Sequence, residues 1–465
     1  MSGTVAEPGR IWTVGTAPGI FPFVSHAIAL FRHPLDFLNS LPAHGDLVEI
    51  RLGPMRAWVA CDPELVHQML MDPHTFDKGG PLYDRLGALM GDGLVTCRQN
   101  AHRRQRTLLQ PGFRPSRVTS YTELMGEEAD ALCRAWRPGE RVDVTAAMMG
   151  LTTRVTSRVL FSDSLDAERA RAVRESLAAV VRGLFVRTVV PMDAPFRVPT
   201  PANRRYRNAL VRLHTLVDTL IAERRQGTPR NDLLETLLKA ERGGEGAEGL
   251  TEQEIHDQLI TLLLTGVETT AMCLSSAFSL LAANPEAERR LHREVDTVLD
   301  DQRAPGPDEL ARLAYARCVV TETLRVHPPG WLFTRVTTEE TRFAGRRLPR
   351  GATVLYSPYL LHHDPASFPE PEQFLPERWF PERATSVPKG AMLPFAAGNR
   401  KCIGDTFAMA EATVALATMA GRWRLRPLSR HSIEPPRPAV TLGPRSLVML
   451  CESRQTHVTG LPNGR

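Results

Sequence analysis

Cys402 stands in the run Phe395-Ala-Ala-Gly398-Asn-Arg400-Lys-Cys402-Ile-Gly404, just ahead of a helix predicted over Asp405 to Gly421. The start of that helix would offer the sulfur its positive dipole end and unpaired N–H donors, and both favour a thiolate. Gly398 and Gly404 would allow tight turns and close backbone approach, here to a flat macrocycle. The segment therefore suits a buried, metal-bound cysteine. For any single Cys a structural role beside a helix start is the plain alternative, but five residue types recur here at fixed offsets, F-x-x-G-x-R-x-C-x-G. A random chain of this length would show that about once in ten thousand. A second candidate set is Glu322 and Arg325, three apart on one face of a helix predicted over Pro307 to His327, with Pro376-Glu-Arg378-Trp379 downstream. A third is Thr265-Gly-Val-Glu268-Thr269-Thr270, which places an acid beside alcohols. Such a pair can pass protons to a reacting group.

The elements that must position these residues are mainly helical. Apolar residues recur at three- and four-residue spacing over Tyr121 to Trp136, Ala209 to Arg225 and Leu250 to Ala283. The last of these opens with the capping-box pattern Thr251-x-x-Glu254 and carries the Thr265–Thr270 stretch in its interior. Gly266 costs helix stability, and a hydroxyl four residues beyond 265 can bond back to its carbonyl, so a local distortion is predicted there. His102 and Arg106 sit four apart on a shorter helix, and Arg335 follows the apolar turn Gly330-Trp331-Leu332-Phe333. Asp46 to Ala60 reads as a hairpin around Gly53-Pro54, and Gly351 to Tyr356 and Ser446 to Leu450 are short strand candidates. The proline-rich stretch from His362 to Ala397 should be an ordered meander. No polar low-complexity boundary divides the chain, so residues 1–465 are expected to form one mainly α domain with a small β portion, the first forty residues being a lead-in segment.

The cysteine loop matches the haem-binding signature of the cytochrome P450 family at every specified position, and the chain resembles that family throughout. The resemblance implies a haem b buried between the long oxygen-activating helix and the cysteine-loop helix. It implies Cys402 as the iron ligand, with Phe395 packed beside the sulfur. Glu322, Arg325 and Arg378 would form a buried network, in the order in which the family places its E-x-x-R pair and P-E-R-F segment. The Thr265–Thr270 stretch resembles the family's oxygen-activating motif, with Glu268 and Thr269 as the proton route to bound oxygen. Thr265 departs from the small residue usual there, which alters the pocket beside the iron. His102, Arg106, Arg335 and Arg400 match positions that clasp the haem propionates, and guanidinium forks suit carboxylates. Substrate contacts would come from Leu82, Leu89, Leu264, Thr265, Trp331, Leu332, Phe333 and Thr441, a mainly apolar set that favours a small hydrophobic molecule. The Pro81-Leu-Tyr-Asp-Arg-Leu loop and the Pro328-to-Arg335 turn resemble soluble actinobacterial members that oxidise cyclic terpenes. Polyketides, steroids and fatty acids are the other apolar classes, and a haem-binding sensor is the non-catalytic rival; the acid–alcohol pair argues against the sensor.

Composition narrows the partners. The 42% hydrophobic and 23% charged fractions belong to an ordinary globular protein. Seven scattered cysteines without a close pair argue against zinc spacings and a disulfide framework, and suit a reducing, cytoplasmic compartment. The formal charge is +5, but no basic run alternates with aromatics, so nucleic-acid binding has no support. The apolar stretch from Gly19 to Phe31 is shorter than the roughly 20 residues of a bilayer span. No G-x-G-x-x-G follows a strand and no flavin or iron–sulfur module is present, so electrons from NAD(P)H would arrive through a separate ferredoxin or flavodoxin and its reductase. A monomer is expected.

Overall fold

A computed structural model of the chain describes residues 11–19, 25–162, 166–189, 194–241, 243, 248–299, 303–429 and 435–454. The helix Glu252–Ala283 runs through the middle of the protein; its predicted capping box is present, Thr251 and Glu254 each bonding to the other's backbone N–H. Among the described residues it is the one helix long and apolar enough to cross a membrane, and most of its apolar window is buried inside the protein. Packed against it are the helices Val144–Phe161, Ala314–Val326 and Asp405–Arg422. The distortion predicted at Gly266 does not interrupt it. Thr269 Oγ1 does donate to the Thr265 carbonyl at 2.7 Å, but this bond supplements the helix and leaves it unbroken.

The helix expected over Pro307 to His327 is two helices, Pro307–Arg312 and Ala314–Val326, broken at Leu313. The cause is tertiary. Glu294, on the neighbouring helix Pro285–Val298, accepts the backbone N–H groups of Tyr315 at 2.6 Å and Ala316 at 2.8 Å, capping a new helix start there.

A six-stranded sheet stands beside the helices, in the order Val14–Thr16, Leu47–Leu52, Met55–Ala60, Thr353–Tyr356, Phe333–Thr337, Phe76–Asp77. It contains the hairpin predicted around Gly53, where φ is +65°. The lead-in segment contributes its first strand, paired in parallel with Leu47–Leu52, while residues 20–24 of the apolar stretch lie outside the described residues. At the far edge Asp77 pairs with Val336, and Arg335 pairs with Val354. That edge carries the charged groups of the site.

Candidate active site

The cysteine loop is shaped by its own backbone. Cys402 N–H donates to the Phe395 carbonyl at 2.9 Å, closing the loop, and Phe395 is half-buried against the main apolar core. Gly398 has φ +66°, and a Cβ there would lie 2.4 Å from the Leu70 carbonyl oxygen, so both backbone and neighbour demand glycine. Gly404 is less constrained by the polypeptide. Its φ is −94° and an added Cβ would meet no protein atom closer than 3.9 Å, so nothing in the polypeptide requires glycine at that position.

The Cys402 sulfur is accessible although its surroundings are deep protein, and burial pushes the thiol above its ordinary value. The Gly404 N–H, Lys78 and Arg106 pull the other way and lose. The Gly404 N–H at the helix start thus favours the thiolate, as expected, but desolvation, joined by the Asp405 carboxylate, outweighs it, and a metal cation on the sulfur would reverse the balance.

Beside the loop lies a concentration of buried positive charge. Arg400 is buried, with Nη2 on Asp77 Oδ1 at 2.7 Å and Nη1 on the Cys97 carbonyl at 3.0 Å; its Nε–H has no partner. Arg335, also buried, donates from Nη1 to its neighbour's carbonyl, Thr334 O, at 2.9 Å and lies over the Tyr356 ring. Arg106 reaches the Lys401 carbonyl from the helix Gln99–Leu109, and buried His102 is one turn earlier. Burial, then Arg400, Lys78 and Arg106, pushes His102 down to about 3, so its imidazole is neutral.

Sequence reasoning missed Lys78. It is buried, and desolvation followed by repulsion from Arg335 and Arg400 pushes it down to about 7. A weak signal was available: only four lysines occur in the chain, and this one stands between Phe76-Asp77 and Gly79-Gly80. Lys78, Arg335 and Arg400 thus converge, and Asp77 is the carboxylate partner of Arg400. Buried cations need compensating anions. A ligand carrying two carboxylates, as haem does, fits this cluster, and the accessible Cys402 sulfur fits its iron.

Lys78 has a measurable consequence. Unfolded, it takes up its proton near the ordinary value of about 10.4; folded and haem-free, only near 7. Between those values the unfolded chain holds more protons, so the haem-free chain gains stability as pH rises through that window. The Lys78→Met chain should lack this gain yet release haem faster, as followed by urea unfolding of the haem-free proteins at pH 7 and 9 and by haem transfer to an acceptor protein. Parallel pH dependence in the two proteins would remove Lys78 from the cluster.

Thr265 and Thr269 lie four apart on a half-exposed stripe of the otherwise buried long helix. Glu268 is buried, and its Oε1 accepts from Thr441 Oγ1 at 2.7 Å. Burial pushes this carboxyl up to about 7. Glu268 is not bonded to its neighbour Thr269, because Thr269 donates to its own helix and Glu268 is bonded to Thr441, in the hairpin formed by Arg437–Pro438 and Leu442–Gly443.

The predicted substrate contacts divide. Leu82, Thr265 and Leu332 are half-buried, Leu264 is buried on the long helix, and Thr441 is buried against it. Trp331 instead belongs to the core, its indole donating to the Ala439 carbonyl at 3.0 Å, and Phe333 stacks on Tyr356 with centroids 5.4 Å apart. Leu89 is packed into the main apolar cluster. Leu264 belongs to the same cluster.

Glu322 and Arg325 are fully buried and doubly bonded at 2.8 and 2.9 Å. Arg378 Nε lies 3.3 Å from the same carboxylate, which also accepts the Trp379 indole N–H at 2.8 Å. The Trp379 bond is invisible in a motif that specifies only an aromatic.

A family model described as Cytochrome P450 matches residues 17–451. The chain is 47% identical to cyclooctat-9-en-7-ol 5-monooxygenase of Streptomyces melanosporofaciens, covering 91% of this chain and 92% of that one. It is 46% identical to cyclooctatin synthase of the same organism, covering 96% and 97%, and 43% identical to pentalenene oxygenase of Streptomyces avermitilis, covering 95% and 98%. The accessible buried cysteine, the cation cluster with its need for carboxylates and these matches agree, and the chain belongs to the cytochrome P450 family as a haem-dependent monooxygenase.

Proposed function

We propose that the protein inserts one oxygen atom from O2 into a cyclic terpene, as a single catalytic domain working in the cytoplasm. The observation that carries the substrate class is the likeness, over more than nine-tenths of the chain, to the cyclooctat-9-en-7-ol 5-monooxygenase, the cyclooctatin synthase and the pentalenene oxygenase. The half-buried aliphatic residues Leu82 and Leu332 and the buried Leu264 support an apolar ligand of modest size.

When bound, haem supplies oxygen activation and C–H oxidation, with electrons from NAD(P)H passed on by redox partners. In this reading those partners are a ferredoxin or flavodoxin and its reductase, and the enzyme acts as a monomer. Cys402 ligates the iron. Arg106, Arg335 and Arg400, joined by Lys78 and with neutral His102 beside them, would hold the haem carboxylates. Glu268, with a carboxyl near 7, holds a proton in the buried chamber, and Thr269 Oγ1 passes protons on toward the oxygen. The apolar walls orient the substrate and exclude water.

The test is turnover and haem spectral shifts with a panel of cyclic terpenes, fatty acids, steroids and polyketides, in the presence of ferredoxin, reductase and NADPH. A cyclic terpene should bind tightest and gain one oxygen. Preference for another class would overturn the substrate assignment, and haem binding without oxygenation of any compound would favour the sensor. Thr269→Ala should keep haem binding intact while NADPH consumption proceeds with little product. Loss of haem from that variant would contradict its assigned role.

A further inference from the structure

The carboxyl at the centre of the proton route is held by a residue far away in sequence. Thr441 Oγ1 donates to Glu268 Oε1 at 2.7 Å across 173 residues, both side chains being buried. Thr441 is itself rigidly presented. Ala439 N–H donates to the Thr441 carbonyl at 3.1 Å, and Leu442 N–H to the Pro329 carbonyl at 3.0 Å. The Trp331 indole donates to the Ala439 carbonyl at 3.0 Å, and the Trp331 carbonyl accepts Ser357 Oγ at 2.6 Å. Gly443 lets Met272 of the long helix come close, since a Cβ there would lie 2.8 Å from its sulfur. The turn at 329–331, the hairpin tip at 439–443 and the long helix are therefore one clamped unit, and Thr441 is where the clamp meets the acid.

We propose that Thr441 is a positioning residue for proton delivery: by occupying Oε1 of Glu268 it fixes the orientation of the carboxyl and leaves Oε2 as the oxygen that carries the proton. The inference rests on the reading of Glu268 as the acid. Its chemistry is simple. A hydroxyl that donates to one carboxyl oxygen makes that oxygen the poorer site for a proton. Burial and the Thr441 bond are the two influences on this carboxyl, and they oppose one another; no charged side chain from the long helix, from the adjoining helix Val144–Phe161 or from the hairpin acts on it. Removing the hydroxyl leaves burial alone. The carboxyl should then stay protonated to higher pH and lose its fixed orientation.

The test uses the haem-loaded protein and its infrared spectrum, in which the C=O stretch of protonated Glu268 is identified by its disappearance in Glu268→Gln. In the wild type this band should fade as pH rises through about 7. In Thr441→Val it should persist to higher pH and move to higher frequency, as expected of a carbonyl that has lost a hydrogen bond. Product formed per NADPH should fall several-fold while the substrate affinity read from spectral titration changes little. Thr441→Ser, which keeps the hydroxyl, should restore band, midpoint and coupling. If Glu268→Gln couples as well as the wild type, Glu268 is not the acid and the earlier reading fails. If Glu268→Gln uncouples but Thr441→Val matches the wild type in band, midpoint and coupling, Thr441 is an ordinary wall residue and this inference alone is overturned. A change confined to substrate affinity would overturn it equally.

Discussion

The Cys402→Ser protein is expected to fold with a normal helix content, to lose the carbon monoxide spectrum of a thiolate-ligated haem and to show no monooxygenase activity above background. The fold should survive, because the loop is closed by backbone: the Cys402 N–H to the Phe395 carbonyl and the left-handed Gly398. The chemistry should not, because a serine hydroxyl neither ionises near neutral pH nor donates electron density to iron as a thiolate does. The other six cysteines make poor substitutes. All are buried, and desolvation pushes Cys61, Cys133 and Cys273 up to about 12 and Cys318 and Cys451 to about 11. Cys97 is the one to watch, since its sulfur lies 3.9 Å from Arg400 Nη1 at the edge of the cation cluster. A Cys402→Ser protein that retained the thiolate spectrum would overturn the ligand assignment, and Cys97→Ser in that background would show whether Cys97 had taken its place.

What the sequence made legible, and what it hid, follows from the range of the forces involved. The cysteine loop, the E-x-x-R pair and the capping box at Thr251 are local: their meaning lies within a few residues and survives in a one-dimensional pattern. The hairpin at Gly53 and the long helix were readable for the same reason. Three things were not. Lys78 matters because two distant segments bring Arg335 and Arg400 to it, and no spacing along the chain encodes that convergence. The break at Leu313 is imposed by the Glu294 carboxylate on another helix. The neighbours of Trp331 and Phe333 are likewise set by packing, the indole donating to the Ala439 carbonyl and the Phe333 ring stacking on Tyr356. A residue type states what a side chain can do, and only packing decides which neighbour it does it with.

Packing also explains why the second large effect should come from a residue that would touch neither haem nor substrate. Glu322→Ala should destabilise the protein by about 3 to 5 kcal/mol, the cost of stranding one member of a buried pair, and should sharply reduce haem content. The change leaves the Arg325 and Arg378 guanidiniums without their carboxylate and removes the acceptor from the Leu375 N–H and the Trp379 indole N–H. Each orphaned neutral donor adds about 1 to 3 kcal/mol of desolvation penalty, so relaxation and water entry must offset part of the total. The route to the haem is short. Arg325 donates to the carbonyls of His362, Pro371 and Gln373, which pins the proline-rich meander to the helix Ala314–Val326. The His362 ring, pushed down to about 3 by burial and therefore neutral, accepts the Leu393 N–H at 2.8 Å, two residues before Phe395. The carboxylate of Glu322 thus fixes the position of the cysteine loop through Arg325 and one histidine. Arg325→Ala should cost a similar amount, because it also frees three carbonyls, and the double variant should cost much less than the sum, since both remove the same pair. Arg325→Lys should rescue little: an ammonium cannot bind the carboxylate at two points and reach three carbonyls at once. Urea-unfolding midpoints and haem-to-protein ratios measure all four proteins. If Glu322→Ala unfolds within about 1 kcal/mol of the wild type, inside the scatter of ordinary surface changes, and keeps its full complement of haem, the network is not what holds the loop in place.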